Sequence, residues 1–320
     1  MIRRLIVLTL ILAAIGFGAA YYAWTGSGPA PKPIAIVVPE GGTLTTAANE
    51  LEKAGAVSSS RRFLLLSKLF GGDGIIRAGE YEVPKHASAR AILDLLQSGK
   101  TLQRFVTVPE GMPSILVYEK LLATPLLTGR VAVPAEGSVL PDSYSYQRGE
   151  SRAAVLKRMT AAMDKTLAEL WKKRQPTTVV RSPQEAITLA AIVEKETGVA
   201  AERQTVAGVY SNRLRIGMPL QADPTVIYPV TRGKPLGRRI LRSELQADNG
   251  YNTYARAGLP AGPIANPGRA SIEAVLNPAP TKALYFVAKG DGGHVFAETL
   301  AEHNANVAKW YAIRRQRGEM

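Results

Sequence analysis

Glu194 and Glu196, near the end of one apolar helix, are the residues whose type and spacing offer the clearest chemistry. Side chains two apart on a helix point about 200° from one another, so the pair cannot serve one site equally. Glu196 follows Val193, Ile192 and Leu189 at helical spacing and continues the stripe of the bulkiest apolar side chains. Glu194 follows Ile187, Ala190 and Ala191, a face of smaller side chains. A carboxyl that extends an apolar stripe loses hydration, which raises its pKa and keeps it protonated near neutral pH, the state a general acid needs. Protonating a glycosidic oxygen is the standard demand of glycosidic cleavage, and a glutamic acid in a hydrophobic pocket meets it. The same pattern also fits a glutamate paired with Lys195 or Arg203 at a helix end.

Other chemistries find little support. His86, His294 and His303 are scattered, no His-Glu-x-x-His pattern occurs and the chain has no cysteine, so no metal site, thiol nucleophile or disulfide is expected. The glycines before His294 suggest a structured turn there. No Gly-x-Ser-x-Gly and no nucleotide-binding loop is present, and no cofactor is expected.

The helix that carries the two glutamates has a clear start: Ser182 can cap it, Pro183 suits the first turn, and Glu185 completes a capping box. Gly198, in a left-handed conformation, is the expected stop. Upstream, 153–174 shows helical spacing with Lys and Arg on its polar side, and 136–146 (EGSVLPDSYSY) reads as a loop. The order strand, Val-Pro, short loop, helix occurs three times before it: strand 34–38 with helix 44–54, strand 81–83 with helix 89–97, and strand 105–108 with helix 114–122. These pieces predict a small α+β module ahead of the main domain, which either binds or positions something or is a structural spacer. Downstream, 233–280 is dense in Gly, Pro and Asn and is expected to be largely loop, 284–288 a buried strand, and 298–315 a closing helix.

The chain of 320 residues carries 40 Lys and Arg against 26 Asp and Glu, a formal charge of +14 that suits polyanionic surfaces: nucleic acid, anionic lipid or cell-wall polymer. The N-terminus narrows that choice. Arg3 and Arg4 precede an uncharged apolar run, 5–23, long enough to cross a bilayer, with no further charge until Lys32; this predicts a single-pass anchor over 1–24 with its N-terminus in the cytoplasm. A cleaved leader ending near Ala19 and Ala20 is the competing reading, against which stand the span length and the interfacial aromatics Tyr21, Tyr22 and Trp24. Export disfavours nucleic acid as a partner. Residues 25–33 (TGSGPAPKP) read as an extended linker from the membrane.

The stretch 191–228, AIVEKETGVAAERQTVAGVYSNRLRIGMPLQADPTVIY, resembles the signature of the endolytic murein transglycosylases, the MltG or YceG-like family. The likeness continues through Tyr251-Asn252-Thr253-Tyr254, Gly258-Leu259-Pro260, Pro263-Ile264, 285–288, Gly292-Gly293-His294 and His303-Asn304, with Gly79-Glu80-Tyr81 and Glu110-Gly111-Met112 upstream. The basic stretch 231–242 and the small-residue tract 131–137 depart from it.

The resemblance implies an α+β chain: an N-terminal transmembrane helix, a small LysM-like module over 34–100, and a mainly helical catalytic domain over 101–320 with a part made of loops and strands. It assigns catalysis to the second glutamate of Glu-Lys-Glu-Thr, Glu196. The implied reaction cuts the β-1,4 bond between N-acetylmuramic acid and N-acetylglucosamine within a peptidoglycan strand and leaves a 1,6-anhydro end. Termination of nascent strands near the membrane, in partnership with peptidoglycan synthases, is the implied setting. Gln221, Asp223, Tyr251, Asn252 and Tyr254 are the candidates for the sugar-binding cleft, because amides, a carboxylate and aromatic faces suit hydroxyls, acetamido groups and sugar rings. An Asn-Thr-Tyr turn held by its own side chains would look the same, and Asp223 before Pro224 is equally a turn residue. Two other functions fit the sequence: a hydrolase of the same bond with Asp223 or Glu202 as second carboxylate, and a non-catalytic wall-binding scaffold.

Overall fold

The computed structural model describes residues 2–72 and 74–319. The chain divides into two compact units, one ending at Arg104 and one beginning at Phe105.

The first unit opens with helix α1 (Ile2–Thr25), long and apolar enough to cross a membrane. Strand β1 (Ile34–Val38), helices α2 (Leu44–Lys53) and α3 (Ser60–Phe70), strand β2 (Gly79–Val83) and helix α4 (Ala89–Ser98) follow. β1 and β2 pair antiparallel, with Ile36 opposite Tyr81. The helices close over this pair because each is amphipathic: Ala47, Ala48 and Leu51, Phe63 and Leu66, and Ile92, Leu93 and Leu96 form one core with Ile36, Val38, Tyr81 and Val83. Side-chain oxygens of Thr43, Ser59 and Ser88 accept backbone N–H groups at the starts of α2, α3 and α4. Helix α3 falls outside the repeated strand and helix order expected from the sequence. The tract 25–33 is not a free tether either. The Gly28 N–H donates to the His86 carbonyl (3.1 Å), the His86 N–H to the Ala30 carbonyl (2.8 Å), and Ala30 is buried. A Cβ on Gly28 would stand 2.1 Å from the Ala87 oxygen, so the close approach requires glycine.

The second unit mixes helix and sheet. Strands β3 (Arg104–Thr107) and β4 (Ser143–Tyr146) pair, with α5 (Ser114–Ala123) between them, and α6 (Arg152–Lys172) leads to α7 (Pro183–Glu196). A 3-10 turn (Ala200–Glu202), α8 (Arg203–Arg215), α9 (Asp223–Thr231), α10 (Arg242–Gln246) and α11 (Arg269–Leu276) follow. The strands β5 (Tyr285–Ala288) and β6 (His294–Ala297) form an antiparallel hairpin against which α12 (Leu300–Gln316) packs. The core is built around α7, whose residues from Ala186 to Val193 are all buried, with α6, α8, α9 and α11 packed about it. A helix apolar on every side belongs inside a domain; each fully buried Leu or Ile, such as Leu189 and Ile192, contributes about 1.5–3 kcal/mol.

Several local expectations change. Residues 233–280 include α11, a core helix rather than loop, short and capped by Gly268 without a side-chain signal. β5 is only half-buried. α7 ends at Glu196, with Thr197 extended and its hydroxyl accepting the Val199 N–H, so Gly198 is not a left-handed stop. Ser182 caps the Glu185 N–H as expected, but the Glu185 carboxylate accepts the Arg181 N–H instead of closing the box on Ser182.

Candidate active site

The end of α7 places its last residue, Glu196, on the wall of an open cleft of about 480 Å³. Lys195, Tyr210, Arg213, Gln221, Asp223 and Tyr254 line it, together with Pro224, Phe286 and His303. Tyr210 and Arg213 come from α8, where a spacing of three residues puts both on one face. Tyr210 is buried and hydrogen-bonds to Glu196. The Arg213 guanidinium is tied by its Nε to the Leu284 carbonyl and by Nη1 to the Leu220 carbonyl, both at 2.7 Å, so one cation clamps the approaches to β5 and α9.

Asp223 is the first residue of α9, and Tyr254 Oη donates to its Oδ1 at 2.6 Å. The loop that carries Tyr254 is fixed to the start of α9 by buried threonines. The Thr253 hydroxyl accepts the Ala222 N–H (3.0 Å) and meets the Thr225 hydroxyl (2.9 Å), while the Gln221 N–H donates to the Thr253 carbonyl (3.1 Å). Gln221 holds φ of +53°, an uncommon state for a residue with a side chain.

Burial pushes the Glu196 carboxyl up to about 7, and the neighbouring Asp223 charge adds to the rise; the Tyr210 hydrogen bond and Arg213 oppose it. The position at a helix C-terminus also disfavours the ionised form. Glu196 can therefore hold or release a proton near neutral pH while one edge faces the cleft. Glu194 points elsewhere: its Oε2 accepts the Gly268 N–H at 2.8 Å and its Oε1 lies 3.7 Å from Arg203, which also bonds Glu110 at 3.1 Å.

Of the candidates from the sequence, Gln221, Asp223 and Tyr254 share the cleft with Glu196. Asn252 and Tyr251 do not line it. Asn252 is buried, its amide donates to the carbonyls of Glu244, Leu245 and Ala247, and its oxygen accepts the Tyr254 N–H, so it holds the turn. Tyr251 packs on Tyr228, ring centroids 5.0 Å apart, and Tyr228 hydrogen-bonds Glu136. Glu202 accepts the His294 N–H and meets its Nδ1 at 2.7 Å, outside the cleft; His294 begins β6 rather than sitting in the turn before it. Tyr210, Arg213, Phe286 and His303 were not expected in the cleft. A signal existed for the first two, polar groups three residues apart that follow the apolar Val206, Ala207 and Val209 on α8. His303 stacks on Tyr285, centroids 5.1 Å apart, a pairing that only the packing of α12 on the hairpin creates.

The YceG-like family model matches residues 36–309. A Bacillus subtilis (strain 168) protein named endolytic murein transglycosylase is 30% identical over 314 residues, covering 88% of this chain and 86% of that protein. A protein of the same name from Streptococcus pneumoniae strain D39 is 29% identical over 329 residues, which cover 87% of this chain but 58% of that longer relative. The crystal structure of a yceG-like protein from Listeria monocytogenes aligns with a TM-score of 0.54 at 26% identity, covering 86% of this chain and 98% of that one.

Proposed function

The chain belongs to the YceG-like family, and on that premise we propose that it is an endolytic lytic transglycosylase of peptidoglycan with Glu196 as its catalytic residue. The observation that carries the reading is a single carboxyl held at about 7 on the wall of an open cleft.

Glu196 gives its proton to the glycosidic oxygen as the bond from that oxygen to the anomeric carbon of N-acetylmuramic acid breaks. The resulting carboxylate takes the proton of the muramoyl 6-hydroxyl as its oxygen bonds to the same carbon. The product is a 1,6-anhydro end, and no water is consumed. One carboxyl fills both roles because the nucleophile is internal to the substrate. Tyr210 and Arg213 stabilise Glu196 in its ionised middle state. Asp223 favours its protonated state and, as a carboxylate on the same cleft, meets the positive charge that develops on the sugar. Gln221 and Tyr254 offer an amide and an aromatic face to the acetamido group and ring.

The strand-helix-helix-strand order of β1, α2, α3 and β2 supports a LysM-like module over 34–100, and the catalytic domain takes up the remainder of the folded chain. Arg3 and Arg4 at the start of α1 support an N-terminus in the cytoplasm and a catalytic unit outside. In that setting the enzyme ends nascent strands beside the synthases that extend them. Mass spectrometry of digested glycan strands tests the reaction: anhydro-muramic ends are expected. Reducing ends alone would overturn it in favour of hydrolysis, with Asp223, which shares the cleft, as second carboxylate.

A further inference from the structure

We propose that the exposed face of α3 and the loop after it, carrying Leu65, Leu69 and Ile75, is a lipid-contact surface that seats in the membrane leaflet beside the C-terminal end of α1. The inference rests on the reading of α1 as a membrane-spanning helix.

Helix α3 has two faces. Phe63 and Leu66 turn into the core of the small unit, while Leu65 and Leu69, four residues apart and hence on one face, are 67% and 58% exposed. Ile75, in the loop that follows, is 85% exposed. Among the described residues these three large aliphatic side chains are each more than half exposed and none joins the core of the unit.

The end of α3 shows what covers them. Phe70, its last residue, sets its ring against Phe17, Tyr21 and Trp24 of α1, with centroids 5.5, 5.9 and 6.2 Å away. Those three residues occupy the last turns of α1, and at 1.5 Å per residue they span about 10 Å along its axis. The apolar run 5–23 matches a hydrocarbon core of about 30 Å, and Tyr21, Tyr22 and Trp24 suit its boundary with water. Phe70 therefore lies beside a stretch of α1 that reaches below that boundary. The adjoining end of α3 has lipid as its neighbour whenever α1 spans the bilayer.

The end of α1 and the short segment that follows it fix this arrangement, because Trp24 and Ala30 are buried in the unit and Gly28 bonds to the turn at His86. Exposed cations flank the aliphatic face. Arg61 and Arg62 are exposed at the start of α3, Lys68 near its end and Arg77 in the segment before β2, long side chains that can place their cations among the phosphates while the aliphatic side chains sit lower. Asp73, in the same loop, lies outside the described residues.

The chain has no cysteine, so single cysteines can carry an environment-sensitive fluorophore without background. We would label Leu69→Cys, Ile75→Cys, Lys53→Cys and Leu12→Cys in the full chain reconstituted in phosphatidylglycerol-containing vesicles, and compare quenching by nitroxide-bearing lipids with quenching by aqueous iodide. Probes at positions 69 and 75 should be quenched several-fold more by the lipid nitroxides than the probe at exposed Lys53, and should emit at shorter wavelength. Lipid quenching at position 12 alone would overturn the proposal and leave the spanning helix intact. Its absence at position 12 as well would overturn both.

Discussion

Around Glu194, a backbone N–H from Gly268 and the Arg203 guanidinium supply a fixed set of partners, and Glu110 shares the arginine. Around Glu196, two residues further on the same helix, burial raises the carboxyl toward 7 and Asp223 adds to the rise, against which stand only a tyrosine hydrogen bond and Arg213, itself committed to two carbonyls. The comparison teaches how one element separates structure from chemistry. A carboxylate given a backbone donor and an arginine holds segments together, whereas one whose charged form is disfavoured by burial retains a proton that can be moved.

The largest break in the comparison is Glu196→Gln, which keeps shape and removes the transferable proton. Turnover of glycan strands should fall by about three orders of magnitude, in the middle of what proton transfer supplies, and a loss of less than tenfold would move the role elsewhere. The same variant reports the cost of the site. A carboxyl whose folded pKa is raised stabilises fully below its unfolded value near 4.5 and loses that contribution as pH rises through about 7. Glu196→Gln should therefore melt with the parent at pH 4 and be more stable by about 2 kcal/mol at pH 8, a figure reduced for the open edge of the cleft. Equal stability of the two proteins at pH 8 would contradict the raised pKa.

Glu194→Ala should have the opposite profile, losing about 1–3 kcal/mol in a denaturant titration because the Gly268 N–H is left without a partner and Arg203 keeps only Glu110, while turnover below the melting range stays within a few-fold. Smaller effects separate the groups that set the Glu196 proton. Tyr210→Phe removes a bond to the ionised form, so the alkaline limb of kcat/KM should move to higher pH; Asp223→Asn removes a like charge, so the limb should move lower. Each shift should be about one unit or less. Shifts in one direction for both variants would show that the limb belongs to another group.

Neighbours along the chain carried much of the local information. The start of α7 was legible because Ser182, Pro183 and Glu185 act on backbone groups a few residues away. The span of α1 follows from length and apolarity, and the antiphase of Glu194 and Glu196 from helix geometry. The family resemblance, carried by contiguous motifs, pointed to Glu196 and to glycan. Signals failed where tertiary packing does the work. Helix α11 is short and lacks a side-chain cap, and it exists because α6, α7 and α8 bury it. Asn252 reads as a sugar ligand until its amide is found bonded to three carbonyls.

A spanning-length helix, a capped apolar helix with two carboxylates in antiphase, and motifs of one family are all readable along the chain. Folding alone gives Glu194 its partners, gathers Tyr210, Arg213 and His303 with Asp223 and Tyr254 around Glu196, and packs the segment after α1 against the small unit. Caps, spans and helical phase depend on residues within a turn or two of one another. Proton affinity and cleft shape depend on desolvation and on side chains brought together from α7, α8, α9 and α12, whose distances the folded chain alone sets.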